Sequence, residues 1–179
     1  YRARRQRQMC IRDRLIPNKE FRIYYSNDLI GTQIGGALKN IYAIAAGIAE
    51  GLNLGENAKS ALISRSFAEM ARYAKKFKAD KNTLFGLSGL GDLILTCSSK
   101  NSRNTQFGIK LASSKYDNFL DLLKSQEVTE GYYTVKAVYN ISQKKNIDMP
   151  IMESVYNILY KQHDLKEELS NLLSRPITE

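Results

Sequence analysis

Lys39 stands in an unusual neighbourhood for a lysine on a helix. Gly35, Gly36, Tyr42, Ala43, Ala46 and Gly47 surround it at helical spacing, and most of them are small. A floor of small side chains lets a second backbone or a flat ligand approach closely. Desolvation disfavours a charged ammonium, so a lysine on such a floor is suited to moving protons. The same pattern also fits a close helix–helix seam with Lys39 snorkelling out to water. Asp92 follows a glycine run, and Thr96 shares its helix face four residues on, so a carboxylate and a hydroxyl can meet one ligand. An aspartate there also suits a helix N-terminus through the macrodipole alone. Ser102-Arg103-Asn104 stands where a helix begins. Free backbone N–H groups, a guanidinium and an amide converge at such a point, which can hold a phosphate. A capping serine followed by a solvated arginine accounts for the pattern too.

The glycine run itself, Gly86-Leu-Ser-Gly-Leu-Gly91, is not a dinucleotide fingerprint. That motif needs a preceding strand and the order G-x-G-x-x-G, whereas helical sequence precedes G-x-x-G-x-G here. A flexible turn between helices is the expectation.

Other chemistry is narrowed by composition. The chain has 179 residues, 43% hydrophobic and 25% charged, which suits about one globular domain. Its most apolar stretch, Ile41 to Ala49, is far shorter than the roughly 20 residues of a membrane-spanning helix. Cys10 and Cys97 form neither a disulfide framework nor a zinc spacing, and His163 is the single histidine. A histidine-based triad and a histidine-rich metal site are thereby excluded, and a reducing, cytoplasmic setting is expected. The net charge of +9 is mostly an end effect: residues 1–14 hold six arginines against Asp13, leaving +4 for the rest. Those fourteen residues show neither helical nor strand periodicity. They read as a non-native or disordered arm, QMCIRDR resembling translated vector sequence, with a basic nucleic-acid-binding arm as the alternative.

The elements that must position these residues are almost all helical. Lys19–Ser26 reads as one strand. Asn27 or Asp28 caps a helix to about Leu52 whose Ile34, Leu38, Ile41, Ala45, Ile48 and Leu52 form one inward stripe. A helix opening at Asn53 or Glu56 carries Ile63, Phe67, Met70, Ala74 and Phe77 on one face and stops at Ala79-Asp80. Short helices follow over Asp92–Cys97 and from Asn101-Ser102 to about Leu111, then one over Glu130–Lys145. A helix starting near Pro150 buries Ile151, Val155, Ile158 and Leu159, and a last one, capped by Asp164 with Glu167, buries Leu165, Leu169, Leu172 and Leu173. One strand makes no sheet. The fold class expected is all-α, with residues 29–179 a helical domain and 15–28 the last strand and linker of a preceding domain.

Taken together, Gly35-Gly-Ala-Leu-Lys-Asn-Ile-Tyr-Ala-Ile-Ala-Ala-Gly47, Gly89-Leu-Gly-Asp-Leu-Ile-Leu-Thr-Cys97, Ser102-Arg-Asn104, Glu130-Gly131 with Thr134-Val-Lys-Ala137, and Met149-Pro-Ile151 carry a family resemblance. Their order and spacing resemble NAD(P)-dependent glycerol-3-phosphate dehydrogenase of the bacterial type. The resemblance covers about residues 21–175 and matches the C-terminal domain, of 6-phosphogluconate-dehydrogenase-like type; the Rossmann domain with which the family begins has no counterpart here. It implies NAD or NADP as cofactor, sn-glycerol 3-phosphate and dihydroxyacetone phosphate as substrates, and phospholipid precursor supply as the role. Lys39 matches the catalytic lysine. Asn40, Asp92 and Thr96 match substrate-side positions, and Ser102, Arg103 and Asn104 the phosphate-binding cluster. Arg103, Val128 and Glu130 match cofactor contacts. No metal, nucleic acid or membrane span is implied, and a homodimer is the candidate assembly. The alternatives are another lysine-dependent dehydrogenase of the β-hydroxyacid type, against which the Ser102-Arg103-Asn104 cluster speaks, a basic helical nucleic-acid-binding module, and a purely structural helical domain.

Overall fold

The computed structural model of the protein describes Tyr24, residues 26–113 and residues 129–174, the side chains of 173 and 174 excepted. Asp28 starts the first helix, α1 (Leu29–Gly51), by accepting the Gly31 N–H at 2.8 Å. Its other oxygen accepts the Asp80 N–H at 2.7 Å, at the entry to the short helix α3 (Lys81–Phe85). One carboxylate thus ties two helix starts together. The strand expected over Lys19–Ser26 falls almost wholly outside the described residues, and Tyr24 and Ser26 carry no regular structure. Among the described residues the chain is all-helical.

α1 is the axle of the fold, and here the single inward stripe has to be corrected. From Asn40 to Ala49 every residue is buried. Seven later segments of the chain pack around α1, so its polar side is missing where it is enclosed. Leu38, Ile41 and Ile44 meet Met70 of α2 (Glu56–Lys76), Leu93 of α4 (Asp92–Ser98), Phe107 of α5 (Arg103–Ser113), Val135 of α6 (Glu130–Lys145) and Val155 of α7 (Pro150–Lys161) in one core. The close partner is α5. A Cβ on Gly47 would collide with the Thr105 carbonyl, and one on Gly108 with the Ile44 carbonyl. Two glycines therefore let the backbones of α1 and α5 touch.

α2 ends at Lys76, short of the expected Ala79-Asp80, because Phe77 and Lys78 turn back to the Ala74 and Lys75 carbonyls and Lys78 adopts a left-handed φ of 57°. The glycine run differs more. Leu87–Gly91 forms one wide helical turn, closed by the Gly91 N–H onto the Gly86 carbonyl at 3.2 Å, and runs directly into α4. It is no loose linker. Gly35 meets the Ser88 carbonyl with no room for a side chain, which seats this turn on α1.

The last helix, α8 (Leu165–Ser174), begins as expected, with Asp164 accepting from the Lys166 and Glu167 N–H groups. Its leucines are less enclosed than expected: Leu165, Leu169 and Leu172 are half-buried, Leu165 and Leu172 packing against the core, and the side chain of Leu173 lies outside the described residues. The residue α8 buries is Glu168, which accepts from Asn157 Nδ2 at 3.1 Å and lies 2.7 Å from His163 Nδ1.

Candidate functional site

Burial governs the chemistry of the first cluster. Leu93 and Cys97 anchor α4 against α1, which turns Asp92 at the head of α4 toward Lys39. Lys39 Nζ donates to Asp92 Oδ2 at 2.6 Å, with the two side chains 25% and 31% exposed. The pair is partly shielded yet open on one side, so an incoming ligand can reach the ammonium. Thr96 does not simply present a hydroxyl beside the carboxylate, as its spacing predicts. That hydroxyl donates to the Asp92 carbonyl at 2.6 Å and faces Asp92 Oδ1 at 3.5 Å, leaving Oδ2 to the lysine. Cys97, fully enclosed, has its thiol pushed up to about 12 by burial and takes no part.

A second cluster begins at the next residue of α1. Asn40 is buried, and its Oδ1 accepts from Asn104 Nδ2 at 3.0 Å. Asn104 Oδ1 in turn accepts the Gly131 N–H at 3.1 Å, one of the otherwise unpaired donors at the start of α6. Asn40 Nδ2 donates at 3.4 Å to both the Gly36 carbonyl and Glu130 Oε2. Three helices are joined by these two amides. Gly131 is needed there, since a Cβ would press on Asn104, Ile44 and the Asn40 carbonyl. Asn40 and Asn104 are both buried, and these bonds hold the three helices in register. Replacing Asn104 by Ala leaves the Asn40 oxygen and the Gly131 N–H buried without partners, and is expected to cost about 2 kcal/mol in urea denaturation of the chain. An unchanged midpoint would mean that the network is not made in solution.

Ser102 caps α5, its Oγ accepting the Thr105 N–H at 3.3 Å, while its own O–H hydrogen is not used by that bond. Arg103 stands beside it, 81% exposed, with a terminal nitrogen 3.9 Å from Glu130 Oε1. At 73% exposure for Glu130, this pair adds little stability. It is instead a guanidinium and a carboxylate offered to solvent at the starts of two helices. A mixed donor and acceptor edge of this kind suits the amide and hydroxyl groups of a dinucleotide. Val128, expected on the cofactor side, lies outside the described residues.

The sequence-derived residues thus fall into two groups, Lys39–Asp92–Thr96 and Asn40–Asn104–Glu130–Arg103 with Ser102. They are joined at residues 39 and 40 of α1 and by Thr105, whose hydroxyl donates to the Thr96 carbonyl at 2.9 Å. Thr105 and the buried Glu69 escaped the sequence reading. Glu69 on α2 accepts the Ile151 N–H at 2.6 Å, the Met152 N–H at 3.2 Å and the Tyr42 hydroxyl at 3.3 Å. Among the described residues no group of three or more His, Cys, Asp or Glu could hold a metal, and no helix is long and apolar enough to cross a membrane.

Residues 28–170 match the family described as NAD-dependent glycerol-3-phosphate dehydrogenase C-terminus. A Brachyspira hyodysenteriae protein named glycerol-3-phosphate dehydrogenase (NAD(P)+) is 47% identical over 167 residues, covering 92% of this chain and 50% of its own length. Its namesake from Mannheimia succiniciproducens is 44% identical over 158 residues, with 88% and 47% covered. The crystal structure of glycerol-3-phosphate dehydrogenase from Coxiella burnetii superposes with a TM-score of 0.86 at 38% identity, over 95% of this chain and 52% of that one. The Saccharomyces cerevisiae enzyme gives 0.76 at 29% identity, over 88% and 46%. The chain spans about half the length of the relatives it matches.

Proposed function

Because the chain belongs to the family of NAD-dependent glycerol-3-phosphate dehydrogenase C-terminal domains, we propose that it is the substrate-binding half of an enzyme interconverting dihydroxyacetone phosphate and sn-glycerol 3-phosphate. Within the chain, residues 29–179 form this substrate domain. The observation that carries the reading is the Lys39–Asp92 pair at 2.6 Å, connected through α1 and α5 to a start of helix that bears Arg103.

The cofactor is NAD or NADP, and when bound its nicotinamide supplies or accepts the hydride. Arg103 and Glu130 fit the edge of such a dinucleotide and would hold it. The protein's own residues handle charge and protons. Reduction of the ketone leaves an alkoxide, and the Lys39 ammonium donates its proton to that oxygen; beforehand its charge polarises the carbonyl. In the reverse direction the neutral amine takes the alcohol proton. Asp92 fixes the ammonium, and Thr96 holds the backbone of Asp92 through its carbonyl. Arg103, the Ser102 O–H and the N-terminal N–H groups of α5 hold the phosphate. Asn40 and Asn104 keep the three helices in register beneath it. A carboxylate substrate of the β-hydroxyacid type would leave this phosphate cluster without a task. We read the enzyme as a cytoplasmic supplier of phospholipid precursor, with a homodimer as the candidate assembly.

The test joins this chain to the N-terminal half of the Brachyspira hyodysenteriae relative and follows oxidation of NADH and NADPH with dihydroxyacetone phosphate. Substrate-dependent oxidation is expected; turnover of a 3-hydroxy carboxylate and not of the phosphate would overturn the reading. In the same protein Arg103→Ala should raise the KM for dihydroxyacetone phosphate about 10- to 100-fold, the worth of a charge-assisted contact. Its melting temperature should not move, because the side chain is largely in water. A KM within error of the parent would remove Arg103 from the phosphate site.

A further inference from the structure

We propose that Thr105 is a positioning residue that sets where the Asp92–Lys39 pair stands relative to the phosphate-binding start of α5. The proposal rests on the catalytic reading above and deepens it.

Thr105 is completely buried and touches no ligand surface, so any influence on the reaction must pass through its neighbours. It is fixed on three sides. Its N–H is held by Ser102, its carbonyl lies against Gly47 of α1 without room for a Cβ, and its hydroxyl bonds the Thr96 carbonyl. That carbonyl belongs to the last four of α4, which have no partner inside their own helix. α4 has only seven residues, too few to hold its shape or orientation alone. The Thr96 carbonyl is therefore a handle by which α5 grips α4. From the same residue the Thr96 hydroxyl reaches back to the carbonyl and Oδ1 of Asp92. A shift of Thr96 is passed through the Asp92 backbone, which its hydroxyl holds at 2.6 Å, to the carboxylate that holds Lys39.

The anchoring is unequal, and the direction of the effect follows from that. α5 is pinned to α1 by the Gly47 and Gly108 contacts, which do not involve the hydroxyl. Loss of the hydroxyl frees the turn of α4 that carries Thr96, while Leu93 and Cys97 keep the helix on α1 and Arg103 and Ser102 stay in place. Proton transfer should suffer while phosphate binding does not.

The experiment uses the joined protein described above. Thr105→Val keeps the shape and removes the donor; Thr105→Ser keeps the donor. Expected for Thr105→Val is a fall in kcat of about 10- to 100-fold with the KM for dihydroxyacetone phosphate changed less than about twofold, since a small misplacement costs rate before affinity. Thr105→Ser should retain most of kcat. A merely structural threonine would lower the melting temperature in Thr105→Val and leave kcat intact below it, and that result overturns the proposal. If Thr105→Val does not fold, Thr105→Ala takes its place against Thr105→Ser. A second readout needs no turnover: the NMR signal of the Lys39 ammonium in isotope-labelled chain should move in the donor-free variant and stay in Thr105→Ser. An inactive parent would refute the catalytic reading, while an unmoved Lys39 signal in Thr105→Val would refute the role of Thr105.

Discussion

Lys39→Ala is expected to lower kcat about a thousandfold in the joined protein, with the KM for dihydroxyacetone phosphate changed less than about threefold. Two contributions vanish together. One is the proton that the alkoxide must receive, for which a positioned acid contributes about 10²–10⁴ in rate. The other is the cation that polarises the carbonyl, an interaction stronger at the alkoxide than at the ketone and therefore felt in kcat. The proposed phosphate contacts lie on α5 and would remain, so affinity should be spared. Lys39→Arg separates the two contributions, because a guanidinium keeps the charge but does not release a proton at working pH. It should recover little of the lost rate. Stopped-flow measurement of NADH oxidation in single turnovers reports the chemical step directly. Full kcat in Lys39→Ala would end the assignment of Lys39 as proton donor.

The largest expected effect on stability belongs to Glu69, far from any ligand. Glu69→Leu leaves the Ile151 and Met152 N–H groups and the Tyr42 hydroxyl buried without an acceptor, and should cost on the order of 3–5 kcal/mol at pH 5. The size of that loss depends on pH. Burial pushes the Glu69 carboxyl from 4.5 up to about 7, against the opposing pull of the Ile151 and Met152 N–H groups, Arg72 and the Tyr42 hydroxyl. The folded chain therefore holds the Glu69 proton more tightly than the unfolded chain. The resulting stabilisation is complete below about pH 4.5 and is lost as pH rises through about 7, roughly 3 kcal/mol in all. Urea denaturation of the parent and of Glu69→Gln, which carries no charge at either end of the range, isolates this term. The stability difference between them should shrink steadily from pH 5 to pH 7.5. A difference that stays flat would mean that Glu69 titrates normally.

These two residues mark the boundary of what the sequence reveals. Lys39 and Asp92 are 53 positions apart, yet each announces itself through its neighbours, the small residues around one and the glycine run before the other. Helix starts are equally visible, because Asp28, Ser102 and Asp164 cap with side chains that act within three residues. Glu69 leaves no such trace. It lies on the inward face of α2 beside Met70, where a periodicity argument assigns a glutamate to water. Its three partners come from α1 and α7, and nothing local announces them. Glu168 misleads in the same way: the leucines around it read as core, while the carboxylate takes the buried place through Asn157 and His163. The full enclosure of α1 from Asn40 to Ala49 is also a tertiary fact, set by how many helices surround it and not by its own pattern. Val128 and residues 1–14 lie outside the described residues.

The wide turn over Leu87–Gly91 has a consequence for angular phase. Each residue of an α-helix advances about 100° around the axis. By closing over five residues instead of four, the turn inserts one such step between α3 and α4. Asp92 is the first residue after that step. Were the turn tightened to an ordinary one by deleting a single residue, the face of α4 bearing Asp92 and Thr96 would rotate by about 100°, and a different face would meet Lys39. The extra residue works as a setting of azimuth, and Gly89 within it is required because a Cβ there would strike the Leu84 backbone of α3.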